Sequence, residues 1–110
     1  MYYVDFSAGN KEYKLRLNTR NIVNLEKALG CNPVMIFGNG DDIPNISTMV
    51  TILHESLQQL NHGIKLDDTF NIFDDWVADG NNMVEFVKVI LEIYKVSGLV
   101  PNNTDEEEKN

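Results

Sequence analysis

At 110 residues the chain has the length of one domain, enough to bury a single core and too short for two. Its 43% hydrophobic and 24% charged residues lie near the averages for soluble globular proteins, so neither wholesale disorder nor a membrane protein is indicated. The formal net charge of −8, from 17 acidic against 9 basic residues, argues against non-specific nucleic-acid binding, because neutralising phosphates takes surplus Lys and Arg.

The first elements read as a hairpin over residues 2–17. Tyr3, Asp5 and Ser7 alternate with Tyr2, Val4 and Phe6, a turn cluster "AGNK" follows, and Tyr13, Leu15 and Leu17 then oppose Lys14 and Arg16. Gly9-Asn10 sits at the expected tip. A lone hairpin is marginal in water, so its apolar face must lie on something else.

A first helix over residues 19–29 follows, capped by Asn18 or Thr19, with Ile22, Leu25, Ala28 and Leu29 at helical spacing and Gly30 as the stop. "NPVMIF" suits a short helical turn with Asn32 as cap and Pro33 at the first helical position, where a missing N–H costs nothing. "GNGDDIPN" reads as loop. The second helix, residues 47–61, has Ser47 as cap, a stripe of Met49, Val50, Leu53, Leu57 and Leu60, and Gly63 beyond its end.

The third helix, residues 68–79, begins after Asp67 or Asp68 and carries Phe70, Phe73, Trp76 and Val77 before Gly80. The fourth, residues 82–97, is capped by Asn81 or Asn82. Its charged residues Glu85, Lys88, Glu92 and Lys95 form one narrow solvent stripe of alternating sign, and nearly everything else on it is apolar. Such a helix is central to a core or to a subunit contact. Beyond Gly98 the pattern ends. The expected fold is therefore α+β, mostly α: an N-terminal β-hairpin packed on a compact bundle of about four helices, one domain over residues 1–98, with residues 99–110 a disordered acidic tail.

"DDWVADGNNMVE", Asp74 to Glu85, is the most site-like stretch. A helix-loop-helix calcium loop needs oxygen ligands at its first, third and fifth positions, glycine at the sixth and glutamate at the twelfth. With Gly80 as that glycine, Val77 and Phe86 stand where ligands are required, so the stretch is a helix junction with Trp76 and Val77 facing inward. His54, His62 and Cys31 make no zinc set by themselves, and Cys31 reads as a small, partly buried residue with no base placed beside it. "GNG" at Gly38–Gly40 lacks the rest of a phosphate loop. The pairs Asp41-Asp42, Asp67-Asp68 and Asp74-Asp75 read as caps and helix-dipole partners before acid/base dyads. No catalytic, cofactor-binding or metal-binding residue is singled out, and an enzyme is not expected. Met35, Met49 and Met83 are candidate soft contacts, with core filling the preferred assignment of each.

With Cys31 as its only cysteine the chain forms no internal disulfide, which suits a reducing, cytoplasmic setting. The amino end shows no basic stretch followed by an apolar block, so no secretory signal is expected, and no run reaches the roughly 18 to 20 apolar residues of a membrane span.

Three stretches, "YKLRLNTRNIVNLEKALGCNPVMIF", "ILHESLQQLNHGIKLDDTFNIFDDWVADG" and "VILEIYKVSG", together resemble the small tail assembly chaperones encoded by long-tailed phages and prophages of Gram-positive bacteria. The most specific pieces are Leu25-Glu26-Lys27 with Leu29-Gly30 and Asn32-Pro33, His54 with Ser56-Leu57-Gln58, His62-Gly63-Ile64 with Leu66, and Lys95-Val96-Ser97-Gly98. The resemblance implies a non-enzymatic assembly factor of the host cytoplasm. Its partner would be the hydrophobic tape measure protein, with the tail tube protein as a second partner and self-association open to it. A frameshifted longer form, common in that family, would extend from the region after Val100. Two other classes compete: a structural tail or head-tail component retained in the particle, and a small regulator that binds a host protein.

Overall fold

A computed structural model of the protein describes residues 2–37 and 43–101. Strands β1 (Val4–Ala8) and β2 (Lys11–Leu15) pair antiparallel, with Val4 opposite Leu15 and Ala8 opposite Lys11. The two-residue turn between them puts Gly9 at φ 58° and Asn10 at φ 68°. That left-handed pair matches the right-handed twist of the strands, and glycine and asparagine tolerate it best. Phe6, Ala8, Leu15 and Leu17 are buried on the inner face, as the alternation predicts.

The helices are α1 (Thr19–Leu29), α2 (Ile46–Leu57), α3 (Leu66–Ala78) and α4 (Met83–Ser97), with a short 3₁₀ helix at Pro33–Phe37. The α+β, mostly α architecture expected from the sequence is the one found. For α1, the Asn18 side chain accepts from the Asn21 N–H at 2.8 Å while the Asn21 side chain accepts from the Asn18 N–H at 3.2 Å, a reciprocal cap. On that helix Ala28 is exposed, whereas Asn21 is buried and Leu25 fully so.

The central helix is α2 rather than α4. It buries Met49, Val50, Ile52, Leu53, Ser56 and Leu57, and packs on α1, α3, α4 and β2. It starts at Ile46 after Asn45, whose side chain makes no cap bond, so Ser47 lies inside the helix. It also ends earlier than residue 61, because side chains take its last carbonyls. Gln58 donates to the carbonyl of His54 at 2.9 Å, and Asn61 donates to that of Leu57 at 3.0 Å.

Asn61 ties this end to the sheet. Its amide accepts from the Lys14 N–H at 3.1 Å and donates to the Lys14 carbonyl at 2.6 Å, pairing with β2 as a neighbouring strand would. The Arg16 N–H donates to the Ser56 carbonyl at 2.9 Å, so the outer edge of β2 is covered by the end of α2.

Helix α3 begins at Leu66, with Asp68 accepting from the Lys65 N–H at 2.9 Å. Its inner face is Thr69, Ile72, Phe73 and Trp76. Phe70 and Val77, expected inside, are 48% and 42% exposed. Both lie on a second apolar stripe that no other element covers completely. At the chain's far end the Leu99 N–H donates to the Tyr94 carbonyl at 2.9 Å across Gly98 in the left-handed conformation, a Schellman-type closure. Leu99 and Val100 pack against the core, so the domain extends beyond the expected limit at residue 98. The rest of the expected tail, residues 102–110, lies outside the described residues.

Candidate partner-binding groove

Several polar groups between Asp75 and Glu85 build the α3–α4 junction. The Asp79 N–H donates to the Asp75 carbonyl, the Gly80 N–H to the Val77 carbonyl, and the Asn81 side chain to the Trp76 carbonyl at 2.9 Å. Asn82 then caps α4: its side chain accepts from the Glu85 N–H at 3.0 Å and the Glu85 carboxylate accepts from the Asn82 N–H at 2.9 Å. Asp79 has a long-range task as well, accepting at 2.9 Å from the Gly9 N–H at the hairpin tip.

The other candidate residues are dispersed. Cys31 is exposed, not partly buried. His54 sits 3.7 Å from the Glu55 carboxylate on α2, and His62 is exposed beyond its end. Asp67 and Asp68 occupy the first turn of α3. Gly38–Gly40, Asp41 and Asp42 lie outside the described residues. Among the described residues, no group of three or more His, Cys, Asp or Glu side chains is placed to hold a metal ion. Nor is any helix among them long and apolar enough to cross a membrane.

Two clefts remain. One is polar, lined by Lys11, Glu12, Tyr13, Asn61, Asp68 and Asp75 among others. Burial first, then the carboxylates of Asp75 and Asp68, raise the Tyr13 phenol above its ordinary pKa.

The other cleft is apolar, and three helices contribute to it. Ile46 comes from the start of α2, Phe73 and Val77 from the last turns of α3, and Met83 and Val84 from the start of α4. Phe73 is only 5% exposed and forms the floor, while Ile46 at 48% and Val84 at 61% stand open to solvent with Val77. Among the described residues, Asp74 and Glu85 are the charged ones lining it. The floor is rigid, because Phe73 packs edge-on to Phe86 with ring centroids 5.2 Å apart and lies 5.8 Å from Trp76. Here an apolar partner surface could displace water from aliphatic side chains without rearranging the core.

Of the three methionines considered as soft contacts, Met49 is core filling, Met83 lines this groove, and Met35 is 67% exposed instead of buried. The sequence did not reveal the groove, since Ile46, Val77 and Val84 come from three separate helices. The one available signal was the apolar excess of α4, of which Val84 and Leu91 are the exposed part.

A protein-family profile described as "Family of unknown function (DUF6096)" matches residues 4–110. No curated protein and no solved structure matches the chain.

Proposed function

The chain belongs to the family of unknown function DUF6096, and we propose that it is a non-enzymatic assembly chaperone of long-tailed phages that holds the tape measure protein during tail assembly. The observation that carries this reading is the open groove, where Ile46, Val77 and Val84 are exposed on a floor of packed aromatic rings. A chaperone of a long hydrophobic chain needs apolar surface held ready in a folded, charged carrier, and this domain supplies both. The resemblance of the sequence to tail assembly chaperones supports the choice of client. On this reading the protein acts in the host cytoplasm, with the tail tube protein as a second client, and turns over no substrate.

Co-expression with the tape measure protein of the same genome tests it. The tape measure protein should stay soluble and co-purify with this chain. If it aggregates to the same extent with and without this chain, the reading fails; if the chain is found in purified virions, it is a structural component instead.

A further inference from the structure

Three features compete for a further role: the polar cleft beside Tyr13, the cation–aromatic cluster around Arg16, and the apolar groove. The first has its acids engaged in caps and hairpin contacts. In the second, Arg16 is already committed to the carbonyls of Tyr2 and Val96. In the groove, Ile46, Val77 and Val84 are exposed aliphatic side chains with no task inside the domain, and of its two acids only Glu85 serves a cap.

We infer that the groove between α2, α3 and α4 takes an amphipathic helix of another protein whose apolar stripe is flanked by Lys or Arg. This rests on the proposed chaperone role and specifies the segment recognised. Among the described residues lining the groove, Asp74 on the α3 wall and Glu85 on the α4 wall are the charged ones, and no Lys, Arg or His faces them. No described cation lies within ion-pairing distance of either carboxylate. The walls are themselves helices, so the partner surface that fits between them is a row of side chains at helical spacing.

Charge selects among the occupants. A second copy of this chain would bring Asp74 and Glu85 against their own counterparts. The acidic stretch "TDEEEK" of the chain's own C-terminal region would meet the same repulsion. A segment bearing Lys or Arg beside its apolar stripe gains from both rims.

The test uses the full chain and two synthetic helical peptides with the same leucine stripe, one flanked by lysines and one by glutamates. Binding is followed by fluorescence anisotropy of the labelled peptide. The lysine peptide should bind at least about fivefold more tightly than the glutamate peptide, with the difference shrinking as salt is raised. Val84→Asp separates groove binding from general attraction to an acidic protein. It adds negative charge, so non-specific attraction would rise, whereas insertion of the leucine stripe would be lost.

Val84 is 61% exposed in the first turn of α4, where a carboxylate suits the helix dipole, so this variant folds. Val77→Lys, in the last turn of α3, is the second variant and places a cation opposite the lysine flanks. Weaker lysine-peptide binding in both variants is the expected result. Equal binding of the two peptides, binding that survives Val84→Asp, or no binding to the native chain each overturns the proposal. A concentration-dependent dimer abolished by Val84→Asp would assign the groove to self-association and overturn it too. Peptide binding without rescue of the tape measure protein would leave the groove standing and sink the chaperone reading. Rescue that is indifferent to Val84→Asp would do the reverse.

Discussion

The indole of Trp76 stands edge-on to the ring of Phe86, with centroids 5.4 Å apart and planes at 77°. Phe6 of the hairpin stacks on the same indole at 5.7 Å, so one side chain joins the sheet, α3 and α4. Trp76→Ala should cost about 3 to 5 kcal/mol, through lost burial and the cavity left behind. Thermal and urea unfolding measure this directly, and an unchanged melting temperature would show that the aromatic cluster is not the centre of stability.

At the hairpin tip, Gly9 is constrained twice. Its φ of 58° disfavours a side chain, and an added Cβ would lie 2.9 Å from the Asp75 carboxylate. Gly9→Ala should destabilise the domain by about 1 to 2 kcal/mol. Asn10→Gly, at the neighbouring left-handed position, should stay within about 0.5 kcal/mol of the native chain. Equal effects at the two positions would mean that neither the left-handed backbone nor the approach of Asp75 restricts residue 9.

Arg16 donates to the carbonyl of Val96 at the end of α4 and to that of Tyr2 at 2.8 Å, with its guanidinium 4.2 Å above the Tyr2 ring. Hydrogen bonds from a charged donor contribute about 1.5 to 3 kcal/mol. Both bonds leave one nitrogen, Nη1, so Arg16→Lys keeps a charged donor and should lose chiefly the planar stacking over Tyr2 and the reach of the longer side chain. Chemical denaturation of Arg16→Lys and Arg16→Ala decides between charge and planar stacking: if the lysine variant is as stable as native, charge alone suffices.

The Tyr94 hydroxyl is buried and donates to the Pro33 carbonyl at 3.0 Å. Burial, and to a lesser degree the nearby Cys31 thiol, hold its pKa above the ordinary 10.0. The folded protein therefore keeps a proton that the unfolded chain releases, so this contribution is fully present below pH 10.0 and is lost as pH rises through the folded-state pKa. Tyr94→Phe should cost about 1 to 2 kcal/mol near neutrality, because the Pro33 carbonyl loses its donor, and should flatten the alkaline loss of stability. Urea midpoints measured across the alkaline range test both parts, and parallel curves for the two proteins would contradict the second.

A chain ending after Gly98 should be less stable than one ending after Pro101 by about 1 to 2 kcal/mol, from the partial burial of Leu99 and Val100. Matched melting curves for the two truncations would put the domain boundary back at Gly98.

Where a helix carries its own punctuation, the sequence was sufficient. Asn18, Gly30, Asn82 and Gly98 bracket α1 and α4 with local caps, and those bounds agree with the structure. The end of α2 was not legible, because Asn61 acts there through Lys14, a residue 47 positions away. Periodicity also failed to orient α3. Phe70 and Val77 are as apolar as Ile72 and Phe73, and only the positions of β1 and α4 decide which stripe is covered. The groove escaped for the same reason: it is a property of how three helices meet. Of its residues, Phe73 and Val77 read as apolar positions of α3 with Val77 facing inward, Val84 lies on a helix read as central to a core or to a subunit contact, and Ile46 carries no signal of its own.

The bridge from Arg16 to Tyr2 and Val96 brings the two extremities of the domain together. The last turn of α4 is thus tied to the residue that leads into β1, while the groove begins at the other end of α4, about 20 Å away for a helix of this length. On the proposed reading, a captured segment is gripped at the pole of the molecule opposite the one where the start of the first strand meets the end of α4.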